Sequence, residues 1–186
     1  MIRLLDLCLA AVAIVLLLPI MLIIALVAWL ETGSPIFRQT RLGRHCQAFT
    51  LYKFRTMRRG TPSLATHLVD SDNITPLGRW LRHWKLDELP QLWNVLKGDM
   101  SLVGPRPCLP SQTELIAERL KRGVFAARPG ITGLAQLTGL DMSEPERLAE
   151  TDAAMLQALT LGRYLRYLGL TLLGRGMGDP ARQLER

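Results

Sequence analysis

An uncharged, strongly apolar run near the N-terminus constrains this chain more than any other feature of its sequence. The run extends from Leu7 to Leu30 without a charged residue. An α-helix rises about 1.5 Å per residue, so roughly 20 apolar residues cross the hydrocarbon core of a bilayer. A cleavable signal peptide usually has an apolar part of only about 7–15 residues before a small-residue cleavage site, whereas this run continues into Trp29 and Leu30. The run therefore predicts a retained membrane anchor over residues 1–31.

A proline near the midpoint of the anchor is compatible with two membrane topologies. Proline removes a backbone hydrogen bond and clashes with the preceding turn, so a kink is expected at Pro19. A kinked helix can cross the bilayer with a bend, or it can enter one leaflet and return as a re-entrant helix. In the re-entrant case Arg3 and Asp6 would stay in water on the same side as the rest of the chain. The residues alone leave both topologies open.

The composition beyond the anchor narrows the class of protein. The net charge is +7, and residues 32–69 contain seven Arg and Lys but no Asp or Glu. Such a bias places the segment next to a membrane helix in the cytoplasm and attracts anionic lipid headgroups. No nucleic-acid-binding motif is recognisable, so the membrane explains the charge better than nucleic acid does. The cysteines form no C-x-x-C pair, which argues against a zinc site and a disulfide framework.

Hydrophobic patterning predicts a mainly α fold with one small β-hairpin. The two strands are expected at residues 36–40 and Ala48–Phe54, on either side of a turn that contains Gly43. Thr75 followed by Pro76 is typical of a helix N-cap and first turn. A compact cytoplasmic domain is therefore expected over residues 32–174, followed by a tail over residues 175–186.

Further helices are expected in the second half of the chain. One should open at Asp87 and end at Gly98, with Pro90 in the tolerated first turn. Two capping boxes predict the starts of two more helices: Ser111 with Glu114, and Ser143 with Glu146. Residues 163–173 mix arginine, tyrosine and leucine, which suits an amphipathic helix in the membrane interface, although core packing is an equal alternative.

Two adjacent carboxylates, Asp87 and Glu88, are the candidate catalytic residues. Taken alone, the pair has a simple structural explanation, because acids are favoured as caps and in the first turn of a helix. Arg82 precedes the pair, and the segment Pro105-Arg106-Pro107 follows it. The two prolines restrict the backbone, so the Arg106 guanidinium would grip phosphate oxygens at low entropic cost. The combination suits phosphoryl transfer, with a carboxylate acting as nucleophile or Mg²⁺ ligand and the arginines neutralising phosphate charge.

The segment around these residues, LDELPQLWNVLKGDMSLVGPRP, resembles the signature of the small monotopic phosphoglycosyl transferases, the bacterial sugar transferase family. Other segments are also similar to that family, and together they cover about residues 1–140: GSPIFRQTRLG, FTLYKFRTM, TPLGRWLR and RPGITGLAQLTG.

The resemblance implies an enzyme of the bacterial inner membrane, with its catalytic domain on the cytoplasmic face. Such an enzyme moves a sugar 1-phosphate from a UDP-sugar to polyprenol phosphate, usually undecaprenyl phosphate, with Mg²⁺ and release of UMP. Asp87 would form a covalent phosphosugar, and Glu88 would assist proton transfer or Mg²⁺ binding. Arg82 and the Pro105–Pro107 segment would contact phosphates. The resemblance also implies a re-entrant anchor.

Two alternatives belong to other functional classes. One is a membrane-bound, metal-dependent phosphohydrolase, which would release the sugar phosphate into water rather than transfer it to a lipid. The other is a non-catalytic scaffold in which Asp87 and Glu88 only cap a helix. The sequence leaves the donor sugar and the oligomeric state open.

Overall fold

The computed structural model describes residues 2–60 and 73–174. Within them the protein is mainly helical with two small sheets, while the predicted tail lies outside the described residues. The helices are α1 Ile2–Thr32, α2 Pro76–His83, α3 Gln91–Lys97, α4 Thr113–Lys121, α5 Leu134–Thr138, α6 Pro145–Gln157 and α7 Leu161–Leu172. The strands are β1 Ile36–Leu42, β2 Ala48–Phe54, β3 Ser101–Val103 and β4 Gly130–Thr132.

Helix α1 contains the apolar run and is long and apolar enough to cross a membrane. Its 31 residues continue through Pro19 as one helix. Most of its large apolar side chains are exposed, which suits a surface that faces lipid, whereas Ala10 and Ala28 are buried against the rest of the chain. The helix supports membrane association. The kink at Pro19 and the re-entrant path stay predictions.

Helix α1 packs against the rest of the protein near both of its ends. Near its N-terminus, Arg3 Nη2 donates a hydrogen bond to the main-chain oxygen of Val95 in α3 (2.7 Å). Near its C-terminus, Ile24 lies in an apolar cluster with Phe54 of β2 and Leu81 of α2. One apolar helix therefore contacts the same domain at two distant places.

A buried carboxylate fixes the N-terminal end of α1. Asp6 Oδ1 accepts hydrogen bonds from Ser101 Oγ (2.9 Å), the main-chain nitrogen of Leu102 (2.9 Å) and the Tyr164 hydroxyl (2.6 Å). Burial and the adjacent Asp6 carboxylate raise the pKa of Tyr164, so its hydroxyl keeps the proton that it donates. Asp6 thus connects α1 to β3 and α7.

The predicted hairpin is confirmed. Strands β1 and β2 pair antiparallel along their whole length. Asn94 of α3 holds the hairpin, because its side chain donates to the Thr50 oxygen (2.7 Å) and accepts from the Tyr52 nitrogen (3.1 Å). The hairpin therefore has a fixed position beside α3.

The predicted start of α2 is also confirmed. Thr75 is the N-cap, and its Oγ1 accepts from the Gly78 nitrogen (3.0 Å), while Pro76 is the first helical residue. A Cβ added at Gly78 would lie 2.2 Å from the main-chain oxygen of Thr56. Glycine therefore allows α2, which carries Arg82, to approach the chain that follows β2.

The helix expected to open at Asp87 begins later. The chain forms a 3-10 turn over Leu86–Glu88, and α3 starts only at Gln91. Pro90 has no N–H to donate to the Leu86 oxygen, which instead accepts from the Leu89 nitrogen at 3.3 Å. The carboxylate pair therefore lies in a tight turn before a helix rather than in the helix itself.

A second small sheet was not anticipated. Strands β3 and β4 pair in parallel, but each has three residues, which is too short for a recognisable alternation of polar and apolar side chains. A Cβ added at Gly130 would lie 2.0 Å from the Gly104 nitrogen, so the close approach of the two backbones requires glycine. Strand β3 leads directly to Pro105.

The predicted capping boxes are wrong. Helix α4 follows Gln112 and α6 follows Glu144, and neither of these side chains caps its helix. The serines at positions 111 and 143 lie one residue too early, and Pro145 occupies the first position of α6. Residues 163–173 mostly coincide with α7, where Tyr164 is buried while leucines at positions 165 and 172 are exposed. The interfacial position of α7 stays a prediction.

Candidate active site

The two predicted catalytic carboxylates lie together in the 3-10 turn between α2 and α3. Asp87 and Glu88 are buried, with exposed fractions of 8% and 9%. The preceding residue, Lys85, has a left-handed backbone (φ 54°), a conformation that non-glycine residues adopt uncommonly. After the bend at Lys85, the 3-10 turn contacts both α2 and β2, so both carboxylates lie close to Lys53 of β2.

Two cations contact the carboxylates unequally. Lys53 Nζ of β2 lies 2.7 Å from Glu88 Oε1 and 3.8 Å from Asp87 Oδ2. Arg106 Nη2 lies 2.9 Å from the same Glu88 oxygen. Glu88 is therefore held by two charge-assisted hydrogen bonds. No residue among those described donates a hydrogen bond to the Asp87 carboxylate.

The unequal contacts shift the two pKa values in opposite directions. Burial acts to raise the pKa of Glu88, but the charges of Lys53 and Arg106 outweigh it and hold the pKa well below the usual range. Burial raises the pKa of Asp87, and the Glu88 charge adds to the rise by repelling the ionised form. Lys53 opposes the rise but does not cancel it, because it lies farther from Asp87 than from Glu88. Glu88 is thus a fixed anion, whereas the ionised form of Asp87 is less stabilised and more available for chemistry.

Arg106 reaches Glu88 from a segment whose backbone is fixed. The Pro105 oxygen accepts from the Gly130 nitrogen (2.8 Å), and the Pro107 oxygen accepts from Arg41 Nη1 (3.0 Å). Both prolines thus act through the main chain, by restricting it and by anchoring it on either side of Arg106. The Glu88 carboxylate raises the pKa of Arg106, which stays cationic.

Arg82 lies near the carboxylates without pairing with them in the described part of the chain. Its Nε donates to Thr56 Oγ1 (2.9 Å). Its charge is among those that oppose the burial-driven rise in the pKa of Asp87. Its Nη1 is buried without a hydrogen-bond partner in the described structure. A buried guanidinium nitrogen that lacks an acceptor is suited to receive an oxygen of an incoming anion.

Sequence reasoning missed two cations of the site. Lys53 contacts both carboxylates. Arg41 is half-buried near Arg106, where desolvation and the Arg106 charge lower its pKa to about 10. Arg41 also donates to Gln39 Oε1 (2.6 Å). The position of Lys53 within the largely apolar strand Ala48–Phe54 was the one signal in the sequence, but its partners are distant along the chain and spacing does not reveal them.

Comparison with known proteins gives a consistent assignment. A family model described as bacterial sugar transferase matches residues 1–174. An uncharacterized sugar transferase of Bacillus subtilis, EpsL, is 44% identical over 144 residues, which cover 77% of this chain and 71% of that protein.

Two further relatives are longer proteins. The UDP-glucose:undecaprenyl-phosphate glucose-1-phosphate transferase of Caulobacter vibrioides is 45% identical over 143 residues, which cover 74% of this chain and 54% of that protein. The undecaprenyl-phosphate galactose phosphotransferase of Salmonella typhimurium is 39% identical over 126 residues, which cover 59% of this chain and 26% of that protein. The aligned region thus spans about half the length of the first and a quarter of the second. This chain belongs to the bacterial sugar transferase family.

Proposed function

We propose that this protein transfers a sugar 1-phosphate from a UDP-sugar to undecaprenyl phosphate and releases UMP, as the first membrane step in the assembly of a glycan. The names of the Caulobacter and Salmonella relatives support undecaprenyl phosphate as the acceptor. Those names differ in the sugar, so the donor sugar of this protein is left to experiment.

The observation that carries the proposal is the asymmetry of the carboxylate pair. Asp87 is buried beside Lys53 at 3.8 Å, and no described residue donates a hydrogen bond to it, whereas Glu88 is held by Lys53 and Arg106. A weakly held carboxylate beside cations has the properties of a nucleophile for a phosphate centre. Glu88 keeps the two cations at the site, and the open Nη1 of Arg82 suits a phosphate oxygen.

The reaction then takes place in two displacements. An Asp87 carboxylate oxygen attacks the phosphorus attached to the sugar, the bond from that phosphorus to the UMP oxygen breaks, and UMP leaves with the bonding electrons. An oxygen of undecaprenyl phosphate next attacks the aspartyl phosphosugar, and the bond to Asp87 breaks, which restores the carboxylate. Two steps allow a soluble nucleotide and a membrane lipid to use one site in turn.

Magnesium fits the donors at this site. The described residues contain no cluster of three or more His, Cys, Asp or Glu side chains. Mg²⁺ commonly binds one or two carboxylates together with substrate phosphates, and Asp87 and Glu88 supply two carboxylates. When bound, Mg²⁺ would neutralise negative charge on the diphosphate.

Helix α1 and the basic segment support the proposed position at the membrane. Contacts near both ends of α1 with one domain favour the re-entrant path, in which the catalytic domain lies on the cytoplasmic face of the inner membrane. The lipid phosphate would then reach the site from the same membrane surface.

Transfer from a panel of UDP-sugars tests the function directly. The full chain, reconstituted in nanodiscs with undecaprenyl phosphate and Mg²⁺, should release UMP with one or a few donors and place the labelled sugar phosphate on the lipid. Asp87→Asn should abolish UMP release, while Glu114→Gln, at an exposed acid of α4, should not change it.

Three outcomes would contradict the proposal. Label released into water would indicate a phosphohydrolase, and full turnover by Asp87→Asn would exclude the aspartyl intermediate. Normal glycan synthesis in cells after replacement of both Asp87 and Glu88 would favour the scaffold. Without acceptor, the donor-loaded protein should carry a phosphosugar on Asp87 that peptide mass spectrometry detects.

A further inference from the structure

A buried ion pair joins α4 to α6 behind the candidate site. Arg119 is 2% exposed and Asp152 is 0% exposed. Arg119 donates to Asp152 Oδ2 from Nε (3.0 Å) and from Nη2 (2.6 Å). Because desolvation of two charges is costly, a buried ion pair is weak evidence of stabilisation, and apolar residues of similar volume often replace one without loss. The pair therefore calls for an explanation other than stability.

The remaining end of the guanidinium points to that explanation. Arg119 Nη1 donates to the main-chain oxygen of Arg106 at 2.8 Å. The Arg119 side chain thus holds the main chain of Arg106, and the Arg106 guanidinium in turn contacts Glu88 at 2.9 Å.

The main-chain oxygens of Pro105, Arg106 and Pro107 each accept a hydrogen bond, but only the donor to Arg106 is a fully buried charged side chain. The Pro105 oxygen is bound by the Gly130 nitrogen and the Pro107 oxygen by Arg41. Between them, Arg119 supplies the contact at Arg106 itself, and Asp152 fixes Arg119 from the opposite side. A continuous series of polar contacts thus leads from Asp152 of α6, through Arg119 of α4 and the Arg106 main chain, to Glu88.

We infer that Arg119, oriented by Asp152, is a positioning residue that fixes the Arg106 backbone so that the Arg106 guanidinium meets Glu88. The inference rests on the proposed function, because the measured consequence is sugar phosphate transfer. Lysine cannot replace Arg119, since a single ammonium group does not present the planar fork that bridges Asp152 and the Arg106 carbonyl together.

The test separates positioning from stability by removing both charges at once. The paired change Arg119→Met with Asp152→Leu leaves no buried unpaired charge, so the full chain should fold with a Tm within a few degrees of wild type. Transfer should nevertheless fall by about ten-fold or more, because misplacement of a site group costs rate even when the fold is intact. In an Arg106→Ala background the same pair of changes should cause no further loss of transfer, since the Arg106 guanidinium that Arg119 positions is already absent.

An ion pair between the C-terminal end of α4 and α6 provides the control. Arg122, which directly follows α4, contacts the exposed Glu150 of α6 at 3.0 Å, and Arg122→Met with Glu150→Leu should leave transfer unchanged. Wild-type transfer tests the proposed function, and the ratio of variant to wild type tests the positioning role. Unchanged transfer in a folded Arg119→Met, Asp152→Leu protein would overturn the inference, as would an equal loss in the Arg106→Ala background.

A second measurement does not depend on turnover. In ¹⁵N-arginine spectra, the side-chain signal of Arg106, assigned by its disappearance in Arg106→Lys, should indicate restricted guanidinium rotation in the wild type and free rotation in the Arg119→Met, Asp152→Leu protein. A restricted Arg106 signal in both proteins would contradict the inference even if the donor sugar were still unknown.

Discussion

At the residue scale, two neighbouring carboxylates differ because only one of them has close cationic partners. Glu88 contacts Lys53 and Arg106 within hydrogen-bond distance, while Asp87 is buried with Lys53 at 3.8 Å. Ionised Asp87 is therefore held at a cost to stability, which is typical of residues kept for chemistry.

This cost predicts how Asp87→Asn changes stability with pH. Burial raises the pKa of Asp87 above its ordinary value, so the folded state binds a proton more tightly than the unfolded state does. The stability lost by burying the ionised Asp87 carboxylate is zero below the ordinary pKa of aspartate. This loss grows as the pH rises and is complete above the folded-state pKa. In Mg²⁺-free buffer, Asp87→Asn should therefore raise the free energy of unfolding at neutral pH, and the gain should vanish in acid. Urea unfolding in micelles across pH measures it, and a constant difference at all pH values would contradict it.

Lys53 should matter for catalysis although it is not part of the signature motif. Lys53→Met removes one of the two cations on Glu88 and the nearest cation to Asp87. A lost hydrogen bond to a charged group is worth roughly 1.5–3 kcal/mol, so UMP release should fall about 10- to 100-fold. Lys97→Met is the control, because Lys97 also pairs with an acid, Asp99, but is half-exposed. Equal rates for the two variants would exclude a catalytic role for Lys53.

The sequence predicted those site residues that belong to one short motif. Asp87, Glu88 and Arg106 lie within twenty residues of one another, and the prolines beside Arg106 are a local signal of a fixed backbone. Lys53 is 35 residues from Glu88, and Arg119 is 33 residues from Asp152. Periodicity and spacing describe neighbours along the chain, so they carry no information about such pairs.

At the element scale, local signals succeeded where a side chain satisfies a backbone group nearby. Thr75 caps α2 as predicted, and the hairpin has the predicted strands. The capping boxes failed because a Ser-x-x-Glu spacing fits several registers, and the chain uses Gln112 and Glu144 at the cap positions instead. Pro90 moved the start of α3 because the missing N–H favours a 3-10 turn.

Helix α2 should tolerate no added methyl group where it crosses the chain after β2. A Cβ at Gly78 would lie 2.2 Å from the Thr56 oxygen, so Gly78→Ala must displace α2 and with it Arg82. Overpacking of this kind costs about 1–3 kcal/mol, and transfer should fall as well. Gly169→Ala in α7 is the control, since nothing lies within 4 Å of the added Cβ and alanine favours a helix by about 1 kcal/mol. Tm and transfer rates compare the two, and equal stability would contradict the packing argument.

At the scale of the whole molecule, the anchor is part of the domain rather than a separate tether. A helix of 31 residues is about 46 Å long, yet Arg3 contacts α3 and Ile24 packs with β2 and α2. A helix that left the domain to cross the bilayer would separate its ends by about 30 Å of hydrocarbon. Contacts near both ends favour an anchor that stays on one side of the membrane.

This arrangement predicts the location of the N-terminus. An epitope placed before residue 1 should resist protease added to intact spheroplasts and should be cleaved only after lysis, because Arg3 and Asp6 bind the domain that we propose to be cytoplasmic. A periplasmic marker protein that is cleaved in the same spheroplasts serves as the control. Cleavage of the epitope before lysis would indicate a spanning helix.

The contacts of Asp6 also have a consequence for biosynthesis. The ribosome makes this carboxylate first, while its donors follow 95, 96 and 158 residues later at Ser101, Leu102 and Tyr164. Until the last of them emerges, the acid must stay hydrated, because burial of a carboxylate without donors is costly. A nascent chain interrupted before residue 164 should consequently have an apolar N-terminal helix that packs poorly against the rest of the protein. Proteolytic quality control should then distinguish incomplete chains from complete ones by this exposed segment.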